Sequence, residues 1–377
     1  MEALIERSAF IGLEQATWFF GGAESPPLAG MRDAVLAYVA NRSKGPVGRK
    51  LNSEVEQACR DNLAVMLQGS QEQIALLSNA SEAISAIASS IGLKPGDNVV
   101  IHDLEFPSGV LPWLALKSAG VEVRVVASRA WRVSAEELLA MVDGNTRMVV
   151  TSHVSYLSGA RIDCAKLYRE LKQTNALLLL DATQSLGVVP VRINDADFIV
   201  ASSYKWLMAG HGGGVLAINP ERASQLMPRS AGWRSVEDMF SDTRFEHFRF
   251  LPDARRFEGG YPAYPMLYAM KASTDLLLSV GIERIERHVL ELGAELIEGM
   301  KRIGYKPMTP ERPEERAGNI SFVCEDGERY ADELLKRGTY VWGGDGRLRA
   351  SIHLYNNSDD VARLVGQLEV IAREQAS

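Results

Sequence analysis

Phe198-Ile199-Val200-Ala201-Ser202-Ser203-Tyr204-Lys205 is an apolar run that ends on a cation. It reads as an interior strand passing into a loop, with Trp206, Leu207, Gly210, Gly212, Gly213 and Gly214 after it. Burial disfavours the ammonium form of such a lysine. A neutral amine at the end of a buried strand is what Schiff-base chemistry requires. Upstream, Leu177-Leu178-Leu179-Leu180-Asp181 is a second apolar strand, closed by a carboxylate. Taken singly, each residue also fits a plain core aspartate or a lysine snorkelling at a sheet edge.

Working outward from these two strands, short apolar runs alternate with helix-period segments from about Gln73 to Pro220. The expected strands are Ile74–Ser78, Asn98–His102, Val121–Val126, Met148–Ser152, Leu177–Asp181, Asp197–Ala201 and Gly214–Ile218. Ala80–Ile91, Ser134–Met141 and Cys164–Gln173 read as amphipathic helices between them. This alternation implies an α/β fold: a mostly parallel seven-stranded sheet covered by helices, with right-handed crossovers. Sites in such sheets gather at the carboxyl ends of strands, where Asp181 and Lys205 both fall.

Beyond Phe250 the texture changes, with Pro252, Gly259, Gly260, Pro262 and Pro265 as punctuation. A helical pattern then runs from Met266 to Met300, broken near Gly281. Strands are expected at Asn319–Cys324, Tyr340–Trp342 and Arg347–Ile352, followed by a helix over Ser358–Glu374. The domain reading is a large domain over 18–255 and a smaller α+β domain built from 1–17 and 256–377. Glu2–Thr17 is expected to be a helix packed on the smaller domain.

Composition narrows the function. The 377 residues are 46% hydrophobic and 24% charged, with a net charge of −7. That balance and the absence of a basic stripe argue against a nucleic-acid partner. No apolar run approaches the ~18 residues that span a bilayer, so no membrane partner is expected. Cys59, Cys164 and Cys324 are odd in number and widely spaced. They suit neither a disulfide framework nor a metal site, which points to a reducing cytoplasm.

A strand-end Asp with a later strand-end Lys is the arrangement that pyridoxal 5'-phosphate uses, Asp on the ring nitrogen and Lys on the aldehyde. The stretch Asp181-Ala182-Thr183-Gln184-Ser185-Leu186-Gly187, then Ser202-Ser203-Tyr204-Lys205-Trp206-Leu207 with Gly212 and Gly214, resembles class V aminotransferases. That family, of fold type I, includes cysteine desulfurases, C–S lyases, isopenicillin N epimerase-like proteins and kynureninase. The resemblance covers nearly the whole chain. It implies a cytoplasmic homodimer that binds pyridoxal phosphate and acts at the α-carbon of an amino acid.

Residue by residue, the resemblance implies the following roles. Ala80 and Ser81, at a strand-to-helix junction, hold the phosphate on free backbone N–H groups, although Ser81 also suits a plain N-cap. Ser202 and Tyr204 add phosphate contacts, with Tyr204 standing where the family often has histidine. Phe106 stacks on the pyridine ring but cannot carry a proton, unlike the histidine of desulfurases. Gln184 bonds the cofactor's phenolic oxygen or the aldimine, and Tyr156 shapes the substrate pocket. Arg349 grips the α-carboxylate with its planar fork. Gly260 and Tyr261 belong to a turn that reaches the phosphate of the neighbouring subunit. His153 reads as a packed strand-end residue. No cysteine lies between Lys336 and Arg349, where desulfurases carry their mobile thiol. C–S lysis by β-elimination is therefore the first expectation. Transamination or epimerisation is the alternative, and a cofactor-binding regulator without catalysis is a third.

Overall fold

The computed structural model describes residues 1–376. Seven strands form the central sheet, within two residues of their expected bounds. Across the sheet they run Ile74–Leu77, Gly214–Ile218, Phe198–Ser202, Leu177–Asp181, Thr146–Ser152, Asn98–His102 and Glu122–Val126. Gly214–Ile218 is antiparallel to both of its neighbours, and every other pairing is parallel. The four-leucine run becomes intelligible here. Leu178 and Leu180 face one hydrophobic core, while Leu179 faces the other. With helices on both faces, a strand must be apolar at both parities.

Each edge of the sheet is finished differently. Glu122–Val126 is largely solvent-facing, and its Arg124 pairs with Glu122 and Asp143 at 2.9 and 2.7 Å. Along Ile74–Leu77, the Leu76 N–H donates to Glu258 Oε1 at 2.8 Å. Arg60 Nη1 donates to the Ile74 carbonyl at 2.8 Å and to Glu258 Oε1 at 2.6 Å.

A second, antiparallel sheet is ordered Trp342–Gly344, Arg347–Ser351 and Asn319–Val323. The strand expected at Tyr340–Trp342 is two strands broken at Val341. Thr339–Tyr340 pairs in parallel with Thr17–Trp18, and Trp342–Gly344 joins the antiparallel sheet. The long helical pattern resolves into Tyr264–Val280 and Ile282–Arg302, separated at Gly281 with φ +88°. The C-terminal helix begins at Ser358 as expected.

The N-terminal helix is not present. Only Arg7–Ala9 forms a single 3₁₀ turn. Phe10, Leu13 and Ala16 are buried at three-residue spacing, which mimics a helix stripe. Gly12 at φ +91° breaks the path. The Arg7 guanidinium takes the Leu13 and Ala16 carbonyls and pairs with Asp360 at 3.1 Å. The segment still docks on the C-terminal part of the chain, through Leu4 N–H to Leu354 O at 2.8 Å.

Two long helices that pattern reading passed over, Ala29–Arg42 and Pro46–Met66, pack against Tyr264–Val280. Among the described residues, no helix is long and apolar enough to cross a membrane.

Candidate active site

The carboxyl ends of the parallel strands converge on one small cavity. Asp181 closes its strand there, and Oδ1 accepts the Thr183 N–H at 2.8 Å. Thr183 Oγ1 in turn accepts the Ser202 N–H at 3.2 Å, lacing two strand ends together. Burial pushes the Asp181 carboxyl above its ordinary range, and Glu105 adds to this while Lys205 opposes it.

Lys205 lies in the turn after Ser202 and is 9% exposed. Burial first, then the nearby Arg349, lowers its amine to about 8, against the pull of Asp181. Its Nζ stands 5.4 Å from the Phe106 ring centroid and 5.6 Å from that of Tyr204. Phe106 meets Tyr156 edge-to-face at 5.2 Å, and Tyr204 stacks on His211 at 4.1 Å.

The opposite wall is the start of helix Ala80–Ser90. Its N-cap is Asn79, whose Oδ1 accepts the Glu82 N–H at 2.8 Å. Ser81 is therefore not the cap, and its hydroxyl instead meets Ser108 Oγ at 2.6 Å. The Ala80 N–H donates to Ser202 Oγ at 3.2 Å, so Ser202 sits on the positive end of the helix. Gly214 permits this approach, since a Cβ there would stand 2.5 Å from the Asn79 backbone.

Gln184 lines the cavity, yet its amide is mostly engaged. Oε1 accepts from Trp206 Nε1 at 2.8 Å and Asn319 Nδ2 at 2.9 Å, and Nε2 donates to Gly22 O at 3.0 Å. One N–H remains for a ligand.

Arg349 reaches the same region from the second sheet. It is 3% exposed, donates to Tyr156 O at 2.7 Å, and leaves Nε without a partner. Burial, then the neighbouring Arg347, brings it down to about 9.

Gly260 and Tyr261 are not brought to this cavity. Tyr261 is half exposed, and its hydroxyl accepts from Arg49 Nη2 at 2.5 Å. His153 faces away, toward a larger groove. Its Nε2 accepts from Arg161 at 3.2 Å, and burial lowers it to about 3. That groove carries charges of both signs that neutralise one another, as in Arg161–Glu286 at 2.6 Å.

One residue of the site escaped sequence reading. Glu105, just before Phe106, is buried, and it accepts the Ser152 N–H at 2.5 Å and Oγ at 2.8 Å. His102 Nε2 lies 2.6 Å from it. The only signal was a charged residue at the end of an apolar strand.

A family model for class-V aminotransferases matches residues 32–364. The chain belongs to the class-V aminotransferase family. A probable cysteine desulfurase of Methanothermobacter thermautotrophicus is 29% identical, covering 92% of this chain and 91% of its own. A cysteine desulfurase of Pectobacterium carotovorum is 27% identical over 84% of this chain and 82% of its own. Among solved structures, the apo cysteine desulfurase of Thermococcus onnurineus has a TM-score of 0.89 at 23% identity, covering 98% and 97%. A cystine C–S lyase bound to its product cysteine persulfide has a TM-score of 0.87 at 21% identity, covering 96% and 99%. The fold is fold type I, and the chain is a pyridoxal-phosphate-dependent enzyme.

The cavity fits that cofactor. It offers a buried amine held near neutrality, a buried carboxylate, an aromatic ring beside the amine, and a helix start flanked by two serines.

Proposed function

We propose that this protein is a C–S lyase that eliminates a sulfur group from the β-carbon of an amino acid. The observation that carries the proposal is the pairing of a depressed lysine amine with an aromatic ring that cannot carry a proton. Bound pyridoxal phosphate supplies an electron sink for the α-carbon. Asp181 would hold the proton of the ring nitrogen. The Ala80 N–H end, Ser81, Ser202 and Tyr204 would hold the phosphate, Phe106 would stack on the ring, and the remaining N–H of Gln184 would meet the phenolic oxygen. Arg349 clamps the α-carboxylate, and Tyr156 walls the substrate pocket.

Lys205 Nζ would anchor the cofactor, and once the substrate's amino group has displaced it, the freed amine would take the Cα proton and so break the Cα–H bond. As that bond breaks, the sulfur substituent leaves Cβ with its electron pair. Burial matters because it brings the amine closer to the pH range in which a base is poised to take and return a proton. No cysteine precedes Arg349 on a loop, and Cys324 is buried where its strand ends, its thiol pushed up by burial. That supports release of the sulfur product rather than its capture on the enzyme.

We further propose a large domain over 18–255, a small domain over 1–17 and 256–377, and a homodimer in which Gly260 and Tyr261 reach the partner's phosphate. The exposed Leu36 and Val39 on helix Ala29–Arg42 support an interface there. Three buried thiols without disulfides support a cytoplasmic location.

The test is a panel of amino acids assayed for keto acid, ammonia and sulfide together. Elimination yields all three from a cysteine-type substrate. Amino-group transfer to an added keto acid, with no ammonia, would favour transamination. Loss of optical purity alone would favour epimerisation. Bound cofactor without α-hydrogen exchange on any substrate would mark a regulator.

A further inference from the structure

The face of the second sheet that carries Arg349 holds more buried positive charge than one carboxylate uses. Arg347 and Arg349 stand two residues apart on one strand, so they project from the same face. Trp342 lies opposite Arg349 on one side and Ser321 on the other, which puts both on that face. Arg347 Cζ is 4.1 Å from the Trp342 ring centroid and 5.4 Å from that of Tyr156. Arg349 Cζ is 5.5 Å from the same Trp342 ring. Tyr156 lines the cavity that holds Lys205, so this cluster borders the site.

Arg347 is 1% exposed. Its ion-pair partner, Asp345 Oδ2 at 3.3 Å, belongs to an exposed turn residue. Arg347 Nε and Nη2, Arg349 Nε and Ser321 Oγ are all buried without a hydrogen-bond partner. An unmade hydrogen bond on a buried group is costly, more so for a charged one. Buried cations persist where something pairs with them. Stacking on Trp342 and Tyr156 offsets part of that cost and leaves Nε and Nη2 of Arg347 unpaired beside the residue that walls the site.

We propose that Arg347, helped by Ser321, receives a second anionic group of the substrate, so the preferred amino acid carries an acid beyond its β-carbon. The acid is a carboxylate or an oxyacid of sulfur, since a planar guanidinium matches either with two parallel bonds. The two arginines are roughly 6.6 Å apart along the strand, a spacing for two acids on one short chain. This rests on Arg349 holding the α-carboxylate, as proposed above.

The test measures binding of succinate and of monomethyl succinate to the holoenzyme by calorimetry. The two have nearly the same shape, and only one carries a second charge. Succinate is expected to bind at least about tenfold more tightly. In Arg347→Met that advantage falls to within twofold, while monomethyl succinate binds as before. Ser321→Ala narrows the gap by a smaller factor, and it serves as the variant of record if Arg347→Met does not fold. Equal binding of the two acids to the wild-type enzyme, or binding of neither, overturns the proposal. Sulfite- and sulfinate-bearing analogues compared with succinate tell the two acid types apart. Should Arg349→Lys leave monomethyl succinate binding untouched, the α-carboxylate assignment falls instead, and the two failures are thus distinguishable.

Discussion

Gln184 Oε1 accepts a hydrogen bond from Asn319 Nδ2 at 2.9 Å, and this bond ties the turn after Asp181 to the sheet that bears Arg349. Asn319 Oδ1 also accepts from Ser351 Oγ at 2.7 Å, so one side chain couples that turn to two strands of the second sheet. Asn319→Ala leaves buried partners short of a bond and is expected to cost about 1–3 kcal/mol. Thermal unfolding measures that loss. The substrate KM should rise while the cofactor Kd stays within about twofold. An unshifted Tm with normal KM would show that the two parts are held together by other contacts.

Borohydride reduction of the holoenzyme should fix the cofactor to Lys205 and to no other lysine. Peptide mapping after digestion gives the answer. Label at a surface lysine in place of Lys205 removes the assignment of the catalytic amine.

Asp181→Asn keeps the size and the Thr183 N–H contact but cannot hold a ring proton. Turnover should fall by about 10²–10³, equivalent to about 2.7–4 kcal/mol, the scale of one main electrostatic group. Circular dichroism should be unchanged. Near-normal kcat in a well-folded variant would reduce Asp181 to a packing residue.

In the cofactor-free protein, the depressed amine of Lys205 has a stability consequence. Its folded value, about 8, lies below the unfolded value near 10.5, so the unfolded chain binds more protons between those two pH values. Stability therefore rises with pH across that window and is lowest below pH 8. Lys205→Met should stabilise the apoprotein at pH 7 by up to ~3 kcal/mol, with the gain fading above pH 10. Denaturant melts at pH 7 and pH 10.5 check this. A gain equal at both would mean that packing, not charge, is responsible.

Tyr261→Ala should weaken cofactor binding while leaving the α-carboxylate contact intact, if Tyr261 serves the partner's site. Mixing Lys205→Ala subunits with Tyr261→Ala subunits then builds one sound site per hybrid dimer and restores part of the activity. Verified hybrids that stay inactive would show that each subunit completes its own site.

Much of this was legible in the chain because burial on both faces leaves a strong mark. The strands ending in Asp181 and Ser202 are continuous apolar runs, and a charged residue just beyond such a run is conspicuous. Other features leave no such mark. Helix Ala29–Arg42 fully buries none of its side chains, so its apolar residues form no one-sided stripe. The N-terminal segment has helical spacing without helical hydrogen bonds, because Arg7 satisfies its carbonyls from the side. Asn79 rather than Ser81 caps the phosphate helix, a choice decided by backbone geometry that neighbouring small polar residues do not reveal. Arg347 looks like any strand arginine until the burial of its unpaired Nε and Nη2 is seen in three dimensions.

The carboxylate of Glu258 and the guanidinium of Arg60 occupy the outward amide of Leu76 and the outward carbonyl of Ile74. At the other margin, exposed Glu122 pairs with half-buried Arg124, and an incoming strand would have to disturb that pair. The central sheet is thus guarded at both margins, and copies of this chain that meet in a crowded cell find no undefended ladder along it. That is a safeguard against fibrous aggregation through this sheet, written into two side-chain pairs.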